Sequence, residues 1–307
     1  MIHLVSLNPA LDFSFDLKEP SSGKIGEVLE SQVEAGGKAL NIARYLKKWH
    51  LKAATWLGTG GGNHPTNILY RALLQQEGLS ARFLSDKAPI RFNVVLGNGK
   101  KSEKYNHPGF ELDLAHFPRL LKTVKKNDLL VLTGRLPKGM NLALYGAWVR
   151  LFQRRGIRTV VDTSGKALGE ALSARPWFFK VNLFEISEAL GRKITRLEQT
   201  VFLIKGFFQK RGLTHGALTN GKEGAVLWRD GSIVWAKTPQ SVQNPLVVGA
   251  GDAFLAGYLR GIQGNMNLER CAKLACAAGA AVALAGIHGF NLKLMAKCLK
   301  SVKVIKC

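Results

Sequence analysis

The sequence Gly249-Ala250-Gly251-Asp252 places two glycines and an acid at the predicted start of a helix of mainly small residues. Backbone amides in such a turn can converge on an anion, because glycine has no Cβ and the first helical turn has unpaired N–H groups. A carboxylate beside an anion site repels the ligand. The conflict is resolved if Asp252 is a base that takes a proton from an incoming hydroxyl while the amides hold the developing negative charge. On these residues alone, an acid that only caps the helix remains the alternative.

Two stretches in the first part of the chain also combine polar side chains with a predicted turn. Asp12 follows the first strand, where a carboxylate can bind polyol hydroxyls or belong to an ordinary turn. Gly36-Gly37-Lys38 with Asn41 brings a glycine pair, a cation and an amide to a helix start. That combination suits a polar or phosphorylated ligand, and a tight turn explains it equally well.

Two later stretches have the same character. Asn182 and Glu185 stand three residues apart at a strand end, where they could hold the water shell of Mg²⁺ or cap a helix. The turn from Thr219 through Gly221 to Gly224 could contact a nucleotide or simply connect a hairpin. The loop Gly60-Gly61-Gly62 has neither the spacing of a dinucleotide fingerprint nor the ending of a P-loop, so we exclude both.

Strands and helices alternate regularly from about residue 112, which predicts a largely parallel, doubly wound α/β sheet covered on both faces. We expect ligands at the carboxyl ends of its strands, where the residues above fall. The predicted helices cover 40–49, 68–76, 113–126, 142–155, 185–190, 197–211, 250–262, 268–284 and 292–300. The predicted strands cover 2–7, 53–57, 128–132, 159–161, 177–181, 217–219, 225–228 and 233–236.

Shorter alternating patches predict a second, smaller sheet inserted into the main domain. They lie in residues 11–34 and in a hairpin within residues 90–107, turning at Gly97-Asn98-Gly99. With no internal repeat or low-complexity linker, residues 1–307 are expected to form one domain.

The composition predicts a globular protein with a sizeable core. Hydrophobic residues make up 46% of the 307 residues, and the mean hydropathy is +0.01. The apolar run Cys271–Phe290 carries Lys273 and His288, so a packed core helix is favoured over a membrane span. No basic segment precedes an apolar run at the amino terminus, so we expect no secretory signal. The cysteines lack metal-like spacing and are interpreted as free thiols in the reducing cytoplasm: Cys271, Cys276, Cys298 and Cys307.

The net charge is strongly positive, with 44 Lys and Arg against 21 Asp and Glu, giving +23. Such a charge attracts nucleic acid, acidic membranes or anionic substrates. The basic residues are dispersed, however, and no aromatic interleaving or known nucleic-acid module accompanies them. A solvated basic surface is therefore favoured over a specific nucleic-acid site, with weak non-specific binding expected at low salt.

Several of these stretches, taken in order, resemble the PfkB, or ribokinase-like, family of carbohydrate kinases. The resemblance covers nearly the whole chain, which is most similar to the phosphosugar branch of that family. It rests on LNPALD (7–12), AGGKALN (35–41), DTSG (162–165), the N-x-x-E of residues 182–185 and GAGDAFLAG (249–257).

The resemblance implies a three-layer α/β/α domain with a small β-sheet lid that often makes a dimer contact. It also implies MgATP and a small phosphorylated sugar as the partners, with no membrane and no specific nucleic acid. Fructose 1-phosphate is the first expectation for the sugar, and fructose 6-phosphate and tagatose 6-phosphate are close alternatives. A homodimer through the lid is a further expectation.

The resemblance also implies roles for individual residues. Asp252 would be the base, with the amides of Gly249, Ala250 and Gly251 as the anion hole. Asn182 and Glu185 would organise magnesium. The sugar would be held by Asp12, Gly37, Lys38 and Asn41, and its phosphate by Lys24 and Arg91. The nucleotide would lie against Asn182, Thr219, Gly221 and Gly224.

Four residues depart from the pattern of the family. Val248 replaces a threonine, Val181 a proline, Arg135 a serine and Asn220 a small polar residue. Arg135 could reach the substrate phosphate, or it could block the usual position of the sugar. These departures leave open a second hypothesis, in which the protein binds sugar phosphates or nucleotides but turns over slowly or not at all.

Overall fold

The strands of the computed structural model form two sheets, and the structure describes residues 1–18, 25–97, 102–239 and 248–307. In chain order the strands are β1 (Ile2–Ser6), β2 (Ala10–Lys18), β3 (Glu27–Gly36), β4 (Ala53–Leu57), β5 (Ala81–Phe83), β6 (Arg91–Gly97), β7 (Ser102–Asn106), β8 (Leu129–Thr133), β9 (Arg158–Asp162), β10 (Phe178–Asn182), β11 (His215–Thr219), β12 (Ala225–Arg229), β13 (Ser232–Lys237) and β14 (Lys303–Lys306).

The helices of the described residues alternate with these strands. They are α1 (Lys38–Lys48), α2 (Pro65–Gln76), α3 (Phe117–Thr123), α4 (Leu144–Gln153), α5 (Lys166–Ser173), α6 (Leu183–Leu190), α7 (Glu198–Leu203), α8 (Ala250–Gln263), α9 (Leu268–Gly289) and α10 (Leu292–Ser301).

The large sheet has the order β14-β13-β12-β11-β10-β9-β8-β1-β4-β5. Its strands from β5 to β11 pair in parallel, and β11 to β14 form an antiparallel edge. β1 and β8 are buried along their whole length, as continuous apolar strands are when helices cover both faces. The predicted doubly wound, mainly parallel sheet is confirmed.

Two apolar cores, one on each face of the large sheet, make the fold a three-layer α/β/α sandwich. One core contains Leu40, Leu255 and Ala277 from α1, α8 and α9. The other contains Val149 and Leu168 from α4 and α5, together with side chains of α3 and α6. The alternation of strand and helix fixes this arrangement, because each right-handed crossover returns the chain to the sheet.

The small sheet has the order β3-β2-β6-β7, with β2 and β6 parallel and the other pairs antiparallel. Exposure alternates along the outer part of β2, which is typical of a sheet with one solvated face. The inserted small sheet is therefore confirmed. The predicted turn at Asn98-Gly99 lies outside the described residues, and its flanking strands β6 and β7 are antiparallel.

The helix α9 is long and apolar enough to cross a membrane by length and composition alone. Its first five turns instead pack against α8, because small residues let the two backbones approach closely. A Cβ at Gly257 of α8 would lie 2.9 Å from the Cα of Ala275 of α9. The expectation of a packed core helix agrees with this burial, and all four cysteines are free thiols, as expected.

Five local elements differ from the prediction. The helix predicted for 113–126 is only α3, because Leu114 adopts a positive φ of 50° and the chain enters the helix after it. The helix predicted for 197–211 ends as α7 and continues as a π-helical turn, Ile204–Phe208, and a 3₁₀ turn. Helix α5 and the short edge strands β5 and β14 were not predicted, since short elements carry little periodic signal.

Candidate active site

Asp252 lies in the first turn of α8, which begins at Gly249 at the carboxyl end of the large sheet. Its side chain is only 5% exposed, and Asn41 Nδ2 donates a hydrogen bond of 2.8 Å to Asp252 Oδ2. Burial raises the pKa of Asp252 to about 6, although the charge of Lys38 and the Asn41 hydrogen bond both favour the ionised form. A carboxylate with that pKa is ionised at neutral pH and still basic enough to accept a proton.

Several backbone N–H groups in the first turn of α8 have no acceptor among the described residues. The first intrahelical bond of α8 runs from Ala253 N to Gly249 O at 2.9 Å. Within the described ranges, no acceptor is found for the N–H groups of Ala250, Gly251 and Asp252. Gly249 has a φ of 86°, and a Cβ there would lie 2.7 Å from Ile287 Cγ1. The geometry supports the sequence hypothesis of an anion hole next to a base.

A second buried acid, Asp162, lies at the end of β9 and binds two lysines. Lys38 Nζ donates to Asp162 Oδ1 at 2.8 Å, and Lys180 Nζ lies 3.5 Å from the same carboxylate. Burial alone would raise the pKa of Asp162, but Lys180 and Lys38 outweigh it and hold the pKa below its usual range. The side chain of Lys38 is one-third exposed, so it can still donate to a ligand.

Lys180 was not identified from the sequence, although a lysine within a buried strand is itself a signal. Its side chain is buried in β10, where an ammonium group is rarely found without a partner. Lys180 Nζ lies 2.9 Å from the position that a Cβ on Gly251 would occupy. The ammonium group therefore lies beside the candidate anion hole, in the space that a side chain at position 251 would enter.

Asn41 connects the base to a chain of hydrogen bonds that runs to the surface. Arg44 Nη1 donates to Asn41 Oδ1 at 2.8 Å, and Arg44 also forms an ion pair of 2.6 Å with Glu77. The amide of Asn41 therefore has a fixed orientation, with its nitrogen toward Asp252. The prediction of Asn41 as a sugar ligand stays a prediction, and these contacts also suit a residue that positions the base.

Asp12 lies on β2 of the small sheet, directly above the turn that begins α1. Its Oδ1 accepts a hydrogen bond of 2.6 Å from Asn93 Nδ2. A Cβ on Gly36 would lie 2.0 Å from the other carboxylate oxygen, so that oxygen lies over the glycine backbone. Gly37 has a φ of 132° and forms the N-cap of α1. Gly36 is thus required by the approach of Asp12 and Gly37 by its backbone conformation, and the structure shows Asn93 as the partner of Asp12.

Asn182 and Glu185 form a capping box at the start of α6. Glu185 N donates to Asn182 Oδ1 at 2.7 Å, and Asn182 N donates to Glu185 Oε2 at 2.9 Å. The capping alternative is therefore present, and it leaves Glu185 Oε1 and the Asn182 amide nitrogen available. In the part of the chain that the structure describes, no three His, Cys, Asp or Glu side chains cluster as a metal site.

The predicted nucleotide residues lie beside this capping box. Thr219 at the end of β11 is the register partner of Asn182, and its hydroxyl donates to Val181 O at 3.5 Å. Gly224 lies in the hairpin between β11 and β12. A Cβ there would lie 2.0 Å from Ala236 O, so this position requires glycine. Among the described residues, no atom lies within 4 Å of the position that a Cβ on Gly221 would occupy. The hairpin interpretation thus applies to Gly224, while Gly221 is free to approach a ligand.

The remaining predicted residues carry positive charge. Arg91 begins β6 beside Asp12, and Arg135 follows Gly134 in the loop after β8. Lys24 lies outside the described residues. The structure thus brings Lys38, Asn41 and Asp252 into one network, with Asp12 and Arg91 on its small-sheet side and Asn182 and Thr219 on β10 and β11.

A buried carboxylate beside amides that have no acceptor among the described residues, at the carboxyl ends of a doubly wound sheet, is typical of a phosphotransferase site for a hydroxyl group. Residues 6–288 match the profile of the pfkB family carbohydrate kinases. The chain belongs to this family, and it is accordingly a phosphotransferase that acts on a sugar hydroxyl.

Individual relatives and solved structures agree with this assignment. The chain is 30% identical to the 1-phosphofructokinase of Bacillus subtilis, with 100% of both chains covered. It is 29% identical to the tagatose-6-phosphate kinase of Staphylococcus epidermidis, again over 100% of each. The phosphofructokinase-2 of Escherichia coli, solved in complex with substrates and products, superposes with a TM-score of 0.87. That comparison covers 97% of this chain and 98% of the other, and at 22% identity it establishes the shared fold.

Proposed function

We propose that this protein is an ATP-dependent phosphosugar kinase that converts fructose 1-phosphate and ATP into fructose 1,6-bisphosphate and ADP. The observation that carries the proposal is the buried carboxylate of Asp252 beside the N–H groups of Ala250 and Gly251, for which the described residues provide no acceptor. Support for the sugar comes from the full-length similarity to a 1-phosphofructokinase. The similarity to a tagatose-6-phosphate kinase is nearly as extensive and makes tagatose 6-phosphate the second candidate.

Asp252 takes the proton of the attacking hydroxyl, and the sugar oxygen forms a bond to the γ-phosphorus. The bond between that phosphorus and the β–γ bridging oxygen breaks, and ADP leaves with the bridging electrons. The amides at the start of α8 and the ammonium group of Lys180 hold the negative charge of the transferring group. Asn41 keeps Asp252 oriented through its hydrogen bond. Most of the catalysis then comes from positioning.

The sugar and the nucleotide occupy opposite sides of this centre in the proposal. Asp12, Gly37 and Lys38 hold the sugar, and Arg91 and Lys24 bind its phosphate. Thr219, Gly221 and Gly224 line the nucleotide site. A nucleotide-borne Mg²⁺ suits the residues present, because Mg²⁺ keeps several waters and needs few protein ligands. Glu185 Oε1 and Asn182 would face it, and when bound it neutralises phosphate charge.

We propose that the whole chain is one kinase domain, since the family match spans both sheets. We also propose that this kinase acts in the cytoplasm. A homodimer through the small sheet completes the proposal. Large apolar side chains of that sheet and its flank are exposed, as a covered surface would require: Ile25, Val28, Leu29, Phe92 and Tyr105.

Initial rates of ADP release with fructose 1-phosphate, fructose 6-phosphate and tagatose 6-phosphate, each under saturating MgATP, test the function. We expect the highest kcat/KM with fructose 1-phosphate. Asp252→Asn should lower kcat by about 10²-fold to 10⁴-fold, while its affinity for ATP should stay close to that of the wild type. Binding of every sugar without turnover by the wild type would contradict the kinase proposal and favour a binding protein.

A further inference from the structure

The helix α9 breaks near its end, and the residues after the break contact the start of α8. Gly286 has a φ of 72° and a ψ of 178°, a combination that essentially only glycine adopts. The break directs Ile287 against Gly249, where a Cβ would lie 2.7 Å from Ile287 Cγ1 and 2.9 Å from Ile287 Cδ1. The segment of residues 286–290 therefore reaches the turn that carries the candidate anion hole.

Packing, rather than a capping side chain, fixes that turn. Gly249 is the N-cap of α8, and no side chain among the described residues caps this helix start. The other side chain beside Gly249 is Tyr45 of α1, whose hydroxyl donates to Gly249 O at 3.5 Å, a long hydrogen bond. Ile287 is the closest side chain to the open face of Gly249, so its position determines where the first amides of α8 point.

The next residue connects the segment to the small sheet. His288 Nε2 lies 2.9 Å from Glu34 Oε1, to which Gln32 also donates. Glu34 lies on β3 directly opposite Asp12 of β2. Directly paired residues of an antiparallel ladder face the same side of the sheet, so Glu34 shares the face of the candidate sugar residue. Two consecutive residues thus contact the anion-hole turn and the sheet that carries Asp12.

The end of the segment is fixed to α1, the helix that begins with Lys38. The buried ring of Phe290 lies edge-on to the rings of Tyr45 and Trp49, with centroid distances of 5.0 Å and 5.8 Å. Lys48 Nζ donates to Phe290 O. This packing gives the two residues before Phe290 a defined position between α1, α8 and β3.

The ion pair contributes little to stability, because it is largely in contact with solvent. The side chain of His288 is 59% exposed and that of Glu34 is 29% exposed. A small interaction free energy still biases the position of a short segment. Phosphoryl transfer depends mainly on the positions of the groups around the transferring phosphorus, so a small displacement of this segment changes the rate more than the stability.

We propose that Ile287 and His288 are positioning residues for phosphoryl transfer. Ile287 holds the anion-hole turn at Gly249, and His288 links the same segment to the small sheet through Glu34. The amides of α8 are then directed correctly only when the sheet that carries Asp12 is in its place. This inference rests on the proposed kinase function, and it adds residues outside the predicted binding sites that set the rate.

Ile287→Ala tests the contact with Gly249, with Ile262→Ala at the other end of α8 as the matched control. Both isoleucines are partly buried against the same apolar core. Ile287→Ala should lower kcat about tenfold to a hundredfold and leave the KM values for ATP and fructose 1-phosphate within about threefold, because an anion hole acts on the transition state. Ile287→Val should retain most of the rate. Ile262→Ala should lower the stability and leave kcat unchanged.

A binding measurement without turnover isolates the anion hole. In the presence of fructose 1-phosphate, MgADP with aluminium fluoride mimics the transferring phosphoryl group. Ile287→Ala should weaken binding of this mimic and leave binding of MgADP alone unchanged. Equal weakening of both would assign the effect to the nucleotide site and overturn the role of Ile287. A kcat of Ile287→Ala within about twofold of the wild type would overturn it as well.

A double-mutant cycle tests the link to the small sheet. Glu34→Ala and His288→Ala should each lower kcat about twofold to fivefold, and the double variant should lose no more than either. Exchange of the two side chains, Glu34→His with His288→Glu, should restore part of the rate. The control is Glu269→Ala, which removes an ion pair of 3.1 Å with Lys306 at the opposite end of α9 and should leave kcat unchanged. Additive losses, or no loss, would overturn the link.

The outcomes separate this inference from the proposed function. A wild type that turns over no sugar phosphate contradicts the function, and binding of the phosphoryl mimic then still decides the role of Ile287. An active wild type whose kcat is the same in Ile287→Ala and in the Glu34 and His288 variants overturns the positioning roles alone. Thermal unfolding shows whether each variant is folded, and Ile287→Val and the exchanged pair give the same test with smaller changes of the packing.

Discussion

At the scale of single residues, the ionisation of Asp252 decides whether the proposed reaction proceeds. Burial makes the charged carboxylate unfavourable, and Lys38 and Asn41 offset part of that cost by stabilising the charged form. Asp162 is equally buried, yet two lysines keep its pKa low. Two buried acids in one site therefore have different roles, because their surroundings move their pKa values in opposite directions.

The first prediction concerns the pH dependence of the rate. The base must be ionised, and its pKa lies near 6, so kcat/KM should fall about tenfold per pH unit below about pH 6. Asn41→Ala removes a donor to the charged form, so its acidic limb should move to higher pH. Rates between about pH 5 and pH 8 measure both effects. A limb at the same pH in both proteins would contradict the assigned role of Asn41.

The second prediction concerns the stability of Asp252→Asn. The folded pKa of Asp252 lies above its value in the unfolded chain, so the folded state holds the proton more tightly. The contribution of this proton to the free energy of unfolding is fully present below about pH 4. It is lost as the pH rises through about 6, which lowers the free energy of unfolding by about 2–3 kcal/mol.

The neutral amide avoids that loss, so Asp252→Asn should unfold at a higher temperature than the wild type at about pH 8. The difference should shrink at about pH 4.5, where the folded wild type carries the proton itself. Thermal unfolding at the two pH values measures this. An equal difference at both would show that ionisation of Asp252 does not affect the free energy of unfolding.

At the scale of elements, the start of α8 matters more than the helix behind it. Gly249 has a positive φ, and its α-carbon faces Ile287 and Tyr45, while Gly251 faces Lys180. Neither glycine adds a side chain to this turn, so its amides can converge on a ligand. The break in α9 at Gly286, with a φ of 72°, brings Ile287 against that turn.

The third prediction compares two glycines with nearly the same backbone conformation. Gly249 has a φ of 86°, and Gly231, in the turn between β12 and β13, has a φ of 85° with no atoms within 4 Å of the position that a Cβ would occupy. The positive φ alone should make alanine cost about 1–2 kcal/mol of stability at either position, and Gly249→Ala should cost more because its Cβ would lie 2.7 Å from Ile287 Cγ1. Only Gly249→Ala should also lower kcat, by about 10²-fold or more, because the amides of the anion hole move.

Steady-state kinetics and chemical unfolding of both variants measure this comparison. Equal losses of kcat in the two proteins would show that the effect arises from general destabilisation. In that case the first turn of α8 would have no special part in the reaction.

At the scale of the whole molecule, the net charge of +23 is the feature that the site explains least. The substrates in the proposal are anions, and a positive field raises their local concentration. Inside the site Asp162 and Asp252 offset the charges of Lys38 and Lys180, so the excess of positive charge lies elsewhere on the molecule.

The fourth prediction is that this charge binds nucleic acid without specificity. Binding to duplex DNA should be measurable at low salt and should be lost near physiological salt, since it rests on counterion release. Electrophoretic mobility at increasing salt measures it. Sequence-dependent binding that persists at about 0.15 M salt would contradict a purely solvated basic surface.

Local patterns carried much of the information in the sequence. The alternation of strand and helix, the glycine turn before Asp252 and the two patches of the small sheet are each contained in a short segment. Backbone freedom, periodicity and helix starts are local properties, so short segments express them. The ends of α3 and α7 were wrong because single positive φ values and π-helical turns carry no such signal.

The amino-acid sequence by itself determined the doubly wound sheet, the small inserted sheet and the acid beside an anion-binding helix start. Only the tertiary structure decided which groups surround that acid. Asn41 and Asp252 lie 211 residues apart in the chain, and Lys38 and Asp162 lie 124 apart. Lys180 joins this group from the buried strand β10, whose sequence indicates that the lysine needs a partner but not which residue provides it. The protonation of a buried acid depends on charges in space around it, and folding alone brings those charges together.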